Sequence, residues 1–392
     1  MTSYRFAARC ARMEAHSHPP SPPGAIRLSG GSAYGPTMPH VVKEAMAAAE
    51  EYRSETMQYG PLMGLADLRR LLAEQEASQG VAVTPDHILV TNGAKQGIDL
   101  ICRAFLDPGE PVIVSAPTYV TAVPIFVSND ASFVSIGQDE DGLDIDELEA
   151  VLERRGRDGL PVPKLLYDIP DFHNPAGLTL SLSRRRRLLE LAARYGFLIV
   201  EDQTYRQIRF AGAGLPSLRA LDDGTHVISV NTLSKLLAPG LRIGWVTAPP
   251  PLLDRLAALK ADGGTSPFLQ RVAALVLARG GIAEHVAEVV PELVRHRDAM
   301  VRGFRTLLPD ARIGVPEGGY FVWAEFPDGV DGDRLAAVAL DHGVVVYPGS
   351  SCFAETARRN TLRLSYSQAG VAEIEEGMKR LAGAYREIGG GR

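Results

Sequence analysis

The residues most capable of chemistry in this sequence lie in a short segment, 232–244, between two apolar runs. The segment carries the hydroxyls of Thr232 and Ser234, then Lys235, a Pro-Gly pair and Arg242. A lysine held between two strands can be a nucleophile, because its surroundings lower the pKa of the amine and let it form a Schiff base with a carbonyl. Thr232 and Arg242 would suit a phosphate: the hydroxyl of Thr232 can donate a hydrogen bond, and the guanidinium of Arg242 can form a charge-assisted pair. The alternative interpretation is an ordinary surface lysine beside an arginine in a structural ion pair.

A second candidate group follows the apolar run 197–200, which ends in two carboxylates and is followed by Tyr205. The second carboxylate, Asp202, would lie at the carboxyl edge of a parallel strand, where doubly wound sheets bind ligands. A carboxylate there can hold the nitrogen of a heteroaromatic cofactor protonated and make the ring an electron sink. A strand-end aspartate could equally cap a following helix. The spacing to Tyr205 favours function.

Three further turns follow predicted strands. The turn containing Gly93, Ala94 and Lys95 opens a helix, and a helix N-terminus offers free backbone N–H groups to an anion. Tyr119, beyond the strand 111–114, could stack on a flat ring, or could be a core tyrosine. Asn174 opens an Asn-Pro-x-Gly turn after the strand 164–169, and most such turns are only turns.

The elements that must position these residues alternate between strand and helix from 88 to 247. This alternation predicts an α/β doubly wound layer with the candidate residues at its strand ends. Arg363 lies instead on an alternating strand near the C-terminus. It could be a paired structural arginine or a fork for a carboxylate.

Composition narrows the class of protein. The chain has 392 residues, 45% of them hydrophobic and 22% charged, enough for a large core and two domains. The net charge of −6 gives no indication of nucleic acid or an anionic membrane as a partner. No apolar stretch approaches the roughly 20 residues that cross a bilayer, and no signal-peptide region is expected. Three scattered cysteines form neither a disulfide framework nor a zinc site, so we expect no metal and a reducing cytoplasm.

The string Thr-x-Ser-Lys-x-x-x-Pro-Gly-x-Arg-x-Gly at 232–244 resembles the lysine segment of fold-type I, pyridoxal-phosphate-dependent aminotransferases. It is most similar to the branch that contains aminoadipate and aromatic aminotransferases. Further motifs of this family follow in the family's order: Tyr-Gly-x-x-x-Gly-x-x-x-Leu-Arg at 59–69, Asn-Pro-x-Gly at 174–177, Glu-Asp-x-x-Tyr at 201–205 and Gly-Gly-x-Phe-x-Trp at 318–323. The resemblance covers roughly residues 28–385.

The resemblance implies a fold and a division into domains. A large α/β domain, residues 45–265, would bind pyridoxal 5'-phosphate on a doubly wound mixed sheet. A smaller α+β domain would combine residues 25–44 with 266–392. Residues 1–24, basic and then proline-rich, would form an N-terminal arm.

The resemblance also implies roles for individual residues. Lys235 would carry the cofactor as a Schiff base and move the substrate α-proton, and Asp202 would pair with the ring nitrogen. Arg363 would hold the substrate carboxylate, with Gly31 in a loop that closes over it. The complete set implied to bind the cofactor is Tyr59 (from the neighbouring subunit), Gly93, Ala94, Lys95, Tyr119, Asn174, Asp202, Tyr205, Thr232, Ser234, Lys235 and Arg242. Asn174 would also contact the substrate, and Lys95 departs from the glutamine common at its position.

The implied function is transfer of an amino group from an L-amino acid to a 2-oxo acid by a homodimer. The alternative is a lyase, cyclase or oxidase that acts on an amino acid with the same cofactor and scaffold. A regulator with a DNA-binding winged helix is a third hypothesis, but the roughly 25 residues before the family match are too few for such a domain. Two features are expected to be unremarkable: His173 as a loop histidine without a partner, and Arg184–Arg187 as a solvated helix face.

Overall fold

A computed structural model describes residues 4–7, 9–10 and 22–390 of the chain. Most of the predicted N-terminal arm, residues 1–24, lies outside the described residues. Helices and strands are numbered here from residue 22 onwards. No helix in these described ranges combines the length and the apolarity that a bilayer crossing requires.

A large mixed sheet organises the first two thirds of the described chain. Within residues 22–390 it has eight strands in the order β2-β9-β8-β7-β6-β3-β4-β5. The central pairs, from β8 through β4, are parallel, whereas β2, β9 and β5 pair antiparallel to their neighbours. The strands are β2 (Ile88–Thr91), β3 (Pro111–Ala116), β4 (Ser132–Asp139), β5 (Gly142–Leu143), β6 (Leu165–Asp168), β7 (Leu198–Asp202), β8 (Val227–Thr232) and β9 (Gly244–Thr247).

Helices cover both faces of this sheet. Successive strand residues point to opposite faces. Val112 and Val114 of β3 accordingly join one buried apolar cluster while Ile113 joins another. This confirms the predicted α/β class with a large, mainly parallel sheet between two layers. The helices associated with it are α3 (Ala66–Ser78), α4 (Ala94–Phe105), α5 (Val123–Ser128), α6 (Ile145–Arg157), α7 (Leu182–Tyr195), α8 (Leu218–Leu221), α9 (Leu233–Leu236) and α10 (Pro250–Leu259).

A smaller antiparallel sheet follows. In the described part of the chain its order is β10-β11-β14-β13, and a separate parallel pair joins β1 to β12. The strands are β1 (Ile26–Arg27), β10 (Arg312–Ile313), β11 (Phe321–Glu325), β12 (Val344–Val345), β13 (Tyr347–Pro348) and β14 (Thr361–Ser365). Their helices are α12 (Gly281–Leu307), α13 (Gly332–Asp341) and α14 (Val371–Glu387), of which α14 packs against α12 and α13.

The remaining helices connect the two sheets. They are α1 (Val42–Glu50), α2 (Arg53–Thr56) and α11 (Pro267–Ala278), and α11 packs against α1 and α3. The side chain of Gln270 fixes α11 by accepting from Leu65 N at 2.8 Å and donating to Thr265 O at 2.6 Å. The domain boundary at 265/266 stays a prediction. Short 3-10 turns lie at Gly35–Thr37, Pro85–His87, Pro239–Leu241 and Gly349–Cys352.

Candidate active site

The ends of β7 and β8 and the start of α4 surround a cavity of about 200 Å³. The cavity is lined by every residue that the sequence predicts to bind the cofactor except Tyr59, namely Gly93, Ala94, Lys95, Tyr119, Asn174, Asp202, Tyr205, Thr232, Ser234, Lys235 and Arg242. Their convergence follows from the topology, because the carboxyl ends of parallel strands meet at one edge of the sheet.

Lys235 lies in the short helix α9, directly after β8. Its Nζ donates to Gly31 O at 2.5 Å and lies 5.6 Å from the centroid of the Tyr320 ring. Burial lowers the pKa of this amine to about 8, and nearby cations, Lys95 first among them, contribute to the lowering. A substantial fraction of the amine is therefore neutral near physiological pH, as a nucleophile or a proton-accepting base requires.

Asp202 is the last residue of β7 and is buried. One carboxylate oxygen accepts from the backbone N–H of Thr204 at 3.0 Å and from its hydroxyl at 2.6 Å. The other oxygen accepts from the hydroxyl of Tyr167 at 2.8 Å. Burial raises the pKa of Asp202, and these hydrogen bonds oppose that effect. A carboxylate has about four acceptor positions, so one remains for a donor in the cavity.

Tyr167 and Thr204 have no functional signal in the sequence. Tyr167 lies one residue before the end of β6, inside a run that predicts only a buried strand. It contacts Asp202 because β6 and β7 are neighbouring parallel strands in register. Only the strand order, which the sequence does not specify, brings them together.

The cavity lining also contains a helix N-terminus and two cations. Gly93 precedes α4 with φ +78°, and a Cβ atom there would lie 2.8 Å from Nη2 of Arg242. Glycine therefore permits the close approach of the arginine to the helix N-terminus, whose first N–H groups lack intrahelical partners. Lys95 adds a second cation, and its pKa is lowered by burial and by Arg242. The hydroxyl of Thr232 lies 2.9 Å from that of Ser234 on the same wall.

Arg363 lies on β14 and is buried without a carboxylate partner among the described residues. Its Nη1 donates to Oδ1 of Asn174 at 3.2 Å and its Nη2 donates to Ser29 O at 2.7 Å. Its Nε has no hydrogen-bond partner in the described chain. The rings of Phe321 and Tyr347 hold the guanidinium at 4.6 and 4.5 Å. A buried cation with an unused donor is suited to binding an anionic ligand.

A second cavity, of about 870 Å³, opens from the first. Lys95, Tyr119, Asn174, Tyr205 and Lys235 line both cavities. The second cavity continues past Arg363 and the loop 29–32, which includes Gly31, and ends against α13. The three predicted substrate-binding residues therefore line one continuous space with the candidate nucleophile.

Tyr59 lies apart from both cavities. Tyr59 is 90% exposed, and its ring lies near the turn at Gly263. The structure of a single chain leaves its predicted role in the neighbouring subunit's site as a prediction.

His173 is not a free loop histidine. It is buried, its Nε2 lies 2.9 Å from the hydroxyl of Ser115, and it lies 3.6 Å from Oδ1 of Asp168. Burial lowers the pKa of His173 to about 3, so the ring is neutral. Its contact with Ser115 links the loop that carries Asn174 to β3.

The expectation of a solvated face at Arg184–Arg187 is wrong for Arg185. Arg185 is completely buried and pairs with Asp171 at 2.8 Å. Asp171 also pairs with Arg206 at 2.9 Å. The guanidinium of Arg185 lies inside the protein because the long side chain extends from the buried side of α7 to the loop after β6.

Comparison with known proteins identifies the family. Residues 23–381 match the family described as aminotransferase class I and II. The chain belongs to this family.

Three relatives illustrate its neighbourhood. An aromatic-amino-acid aminotransferase of Thermococcus litoralis is 37% identical over 92% of this chain and 88% of its own. A kynurenine aminotransferase of Pyrococcus horikoshii, solved in complex with PMP, superposes with a TM-score of 0.90 at 32% identity and covers 99% of this chain and 96% of its own. An α-aminoadipate aminotransferase of Thermus thermophilus, complexed with N-(5'-phosphopyridoxyl)-L-leucine, has a TM-score of 0.87 at 32% identity, with 97% and 95% covered.

The chain is therefore a pyridoxal-phosphate-dependent aminotransferase, and the comparisons favour this activity over the lyase, cyclase or oxidase alternative. The donor set of the first cavity fits the cofactor. The helix N-terminus with Lys95 and Arg242 suits the phosphate, and the free acceptor position of Asp202 suits a protonated ring nitrogen. The amine of Lys235, in the same cavity, suits a Schiff base with the carbonyl carbon of the cofactor.

Proposed function

We propose that this site transfers the amino group of an L-amino acid whose α-carboxylate is held by Arg363. The observation that carries the proposal is the buried guanidinium of Arg363, which faces the same cavity as Lys235 and has an unused donor. A carboxylate would complete its hydrogen bonding as a bidentate partner. The neighbouring Asn174 holds the other edge of the guanidinium in place.

Pyridoxal phosphate, when bound, supplies a carbonyl for the substrate amino group and a ring that withdraws electrons from the substrate α-carbon. We assign Asp202 to keep the ring nitrogen protonated, a role supported by its burial and by the three hydrogen bonds that fix its orientation. Asn174 and Tyr205 line the cavity on the side of Arg363 and would donate to the phenolic oxygen.

Lys235 is the group we assign to proton transfer. With a pKa of about 8, its amine could accept a proton and return it near neutral pH whenever it is not attached to the cofactor. The carbonyl of Gly31, which accepts from Nζ at 2.5 Å, would orient the amine within the cavity. Lys235 is therefore both the attachment point and the acid–base group.

We further propose that the enzyme works as a homodimer in which Tyr59 completes the phosphate site of the partner subunit. Apolar side chains are exposed on the segment around Tyr59, including Val42, Met46, Met57 and Leu62. Exposed apolar patches of this kind mark interaction surfaces. The 90% exposure of Tyr59 leaves its ring free to enter another chain's site.

A reducing cytoplasm is the compartment we propose. Cys10 is exposed and Cys102 and Cys352 are buried, and none of the three forms a disulfide in the described chain. Free thiols are the usual state in that compartment.

The proposal for Arg363 is tested by comparing an L-amino acid with the amine that lacks its carboxylate. The wild-type enzyme should prefer L-phenylalanine to 2-phenylethylamine by at least about 10³-fold in kcat/KM, since truncation leaves a buried charge unpaired. Arg363→Gln should lose most of this preference, mainly by reduced kcat/KM for the amino acid. A variant that keeps the full preference would contradict the assignment.

A further inference from the structure

The second cavity extends beyond the groups assigned to the cofactor and to the substrate carboxylate. We propose that its far wall, one face of α13, selects amino acids with bulky uncharged side chains and rejects a second carboxylate. This inference rests on the proposed function, because it takes Arg363 as the ligand of the α-carboxylate.

The wall is a single face of one helix. Asp333, Ala336, Ala337 and Leu340 line the cavity, and their spacing of i, i+3, i+4 and i+7 places them on the same side of α13. The opposite side packs into the core through residues such as Leu335, which is fully buried. Three of these four side chains are apolar, and they border the cavity although an apolar helix face normally packs against protein.

The neighbouring wall is also apolar. Val120, Val345, Val346 and Phe353 line the same cavity. Moving the apolar side chain of a ligand from water to this wall is favourable. At about 870 Å³ the cavity has room for a large side chain beside the cofactor.

The charges are separated along the cavity. Among the described residues that line it, the basic side chains are Lys95, Lys235 and Arg363. Lys95 and Lys235 also line the smaller cavity and so lie at its junction with the larger one. Arg363 contacts Asn174, which lines both. No lysine or arginine of the described chain lines the α13 wall.

The α13 wall carries a negative charge instead. The carboxylate of Asp333 accepts from the hydroxyl of Ser350 and lies 3.5 Å from Arg359, which is largely exposed. A second substrate carboxylate at this wall would be repelled by Asp333, and Arg359, the basic side chain beside Asp333, is already paired with it. A phenyl or long aliphatic side chain would incur no such penalty.

The test uses the holoenzyme and two matched amino acids. We expect kcat/KM for L-phenylalanine to exceed that for L-2-aminoadipate by at least about tenfold. The unreactive acids 3-phenylpropanoate and glutarate should show the same order of Kd in calorimetry, a readout that is independent of turnover. Equal or tighter use of the dicarboxylic compounds would overturn the inference.

Substitutions in α13 locate the selection. Ala337→Arg places a cation on the wall and should shift the kcat/KM ratio toward L-2-aminoadipate by about tenfold or more. Asp341→Arg is the control, because Asp341 is exposed on the same helix and does not line the cavity. An equal shift in both variants, or no shift in Ala337→Arg, would contradict the proposed wall.

A volume change provides a second test. Ala336→Phe should lower the ratio of kcat/KM for L-phenylalanine to kcat/KM for L-alanine by about tenfold. Equal losses on both substrates, or none, would contradict the inference. If neither amino acid reacts even with the wild-type enzyme, the proposed function itself fails. If L-alanine reacts and the selectivity ignores these substitutions, only the α13 inference fails.

Discussion

At the scale of single residues, the site depends on a cluster of cations around one amine. Lys95, Arg242 and Arg363 all lower the pKa of Lys235, whereas Asp202 raises it. Burial is the largest of the effects. Burial and the cluster of cations together therefore bring the pKa of Lys235 close to neutral pH.

Replacing Lys95 should reveal this coupling. Lys95→Gln removes the nearby cation with the largest effect on Lys235, so the pKa of Lys235 should rise above its value of about 8. Because the neutral amine reacts with the cofactor, the pH midpoint of pyridoxal phosphate uptake by the apoenzyme should move upward, by about half a unit or more. Lys95→Arg retains the charge and should leave the midpoint in place. A downward or absent shift in Lys95→Gln would contradict the coupling.

Some site residues can be predicted from the sequence because they belong to contiguous motifs, whereas others depend on contacts that form only in the folded chain. Lys235, Asp202 and Asn174 lie in short contiguous motifs at or shortly after the ends of strands, so spacing along the chain is enough to find them. Tyr167 and His173 act through contacts between neighbouring strands and loops. Their positions depend on strand order and burial, which arise only when the sheet assembles.

At the scale of elements, the buried Arg185 connects α7 to the loop that carries Asn174. Besides its pairing with Asp171, its Nε donates to Leu180 O at 2.9 Å and its Nη1 to Pro216 O at 3.0 Å. The run of four arginines predicts a solvated helix face because the sequence shows that the side chains are charged. It does not show which of the four side chains points into the protein. The loop and α7 are thus joined by a buried ion pair.

Removing that connection should destabilise the fold. Arg185→Ala removes one of the cations that pair with the buried carboxylate of Asp171. We therefore expect the free energy of unfolding to fall by about 3–5 kcal/mol. Its neighbour Arg186 is exposed, and Arg186→Ala should change this free energy by less than about 0.5 kcal/mol. Urea unfolding of both variants measures the contrast. Similar effects of the two substitutions would show that the buried pair is not a stabilising element.

A buried acid couples α3 to β9. Glu76 accepts from Nε1 of Trp245 at 2.7 Å, and burial raises the pKa of Glu76 to about 7. The folded chain therefore keeps this proton up to about pH 7, whereas the unfolded chain releases it near 4.5. Because the folded state binds more protons in this window, this group lowers stability as pH rises from about 4.5 to 7.

Glu76→Gln should remove that dependence while retaining an acceptor for Trp245. The difference in stability between the variant and wild type should grow in favour of the variant by about 2 to 3 kcal/mol from about pH 5 to pH 8. Urea unfolding at the two pH values measures the difference. If the free energy of unfolding depends on pH in the same way in both proteins, Glu76 is ionised in the folded state over this whole range, which would contradict the raised pKa.

At the scale of the whole molecule, catalysis is proposed to need two chains. The two cavities of one chain contain the predicted cofactor set without Tyr59, whose side chain is exposed elsewhere. If the phosphate site is completed by Tyr59 of the partner subunit, the enzyme is active only as a dimer. This dependence predicts complementation between two inactive variants.

Hybrid dimers of Tyr59→Ala and Lys235→Ala provide that test. If Tyr59 acts across the interface, the hybrid has one site with both residues intact and one with neither. Mixing and refolding the two variants should then restore roughly a quarter of wild-type activity, since about half the dimers are hybrids with one complete site each. If Tyr59 serves its own chain's site, mixing restores nothing beyond the activity of the separate variants.

Lys235 is proposed to move the proton that accompanies transfer of the amino group between substrate and cofactor. The most direct measurement is the visible absorption of the holoenzyme, recorded with wild type and Lys235→Ala. In wild type, L-phenylalanine should bleach the absorption of the bound cofactor and a 2-oxo acid should restore it. In Lys235→Ala, both changes should be slower by at least about 10³-fold, because the acid–base group is missing. Release of ammonia without recovery of colour, or unimpaired cycling in Lys235→Ala, would contradict the account.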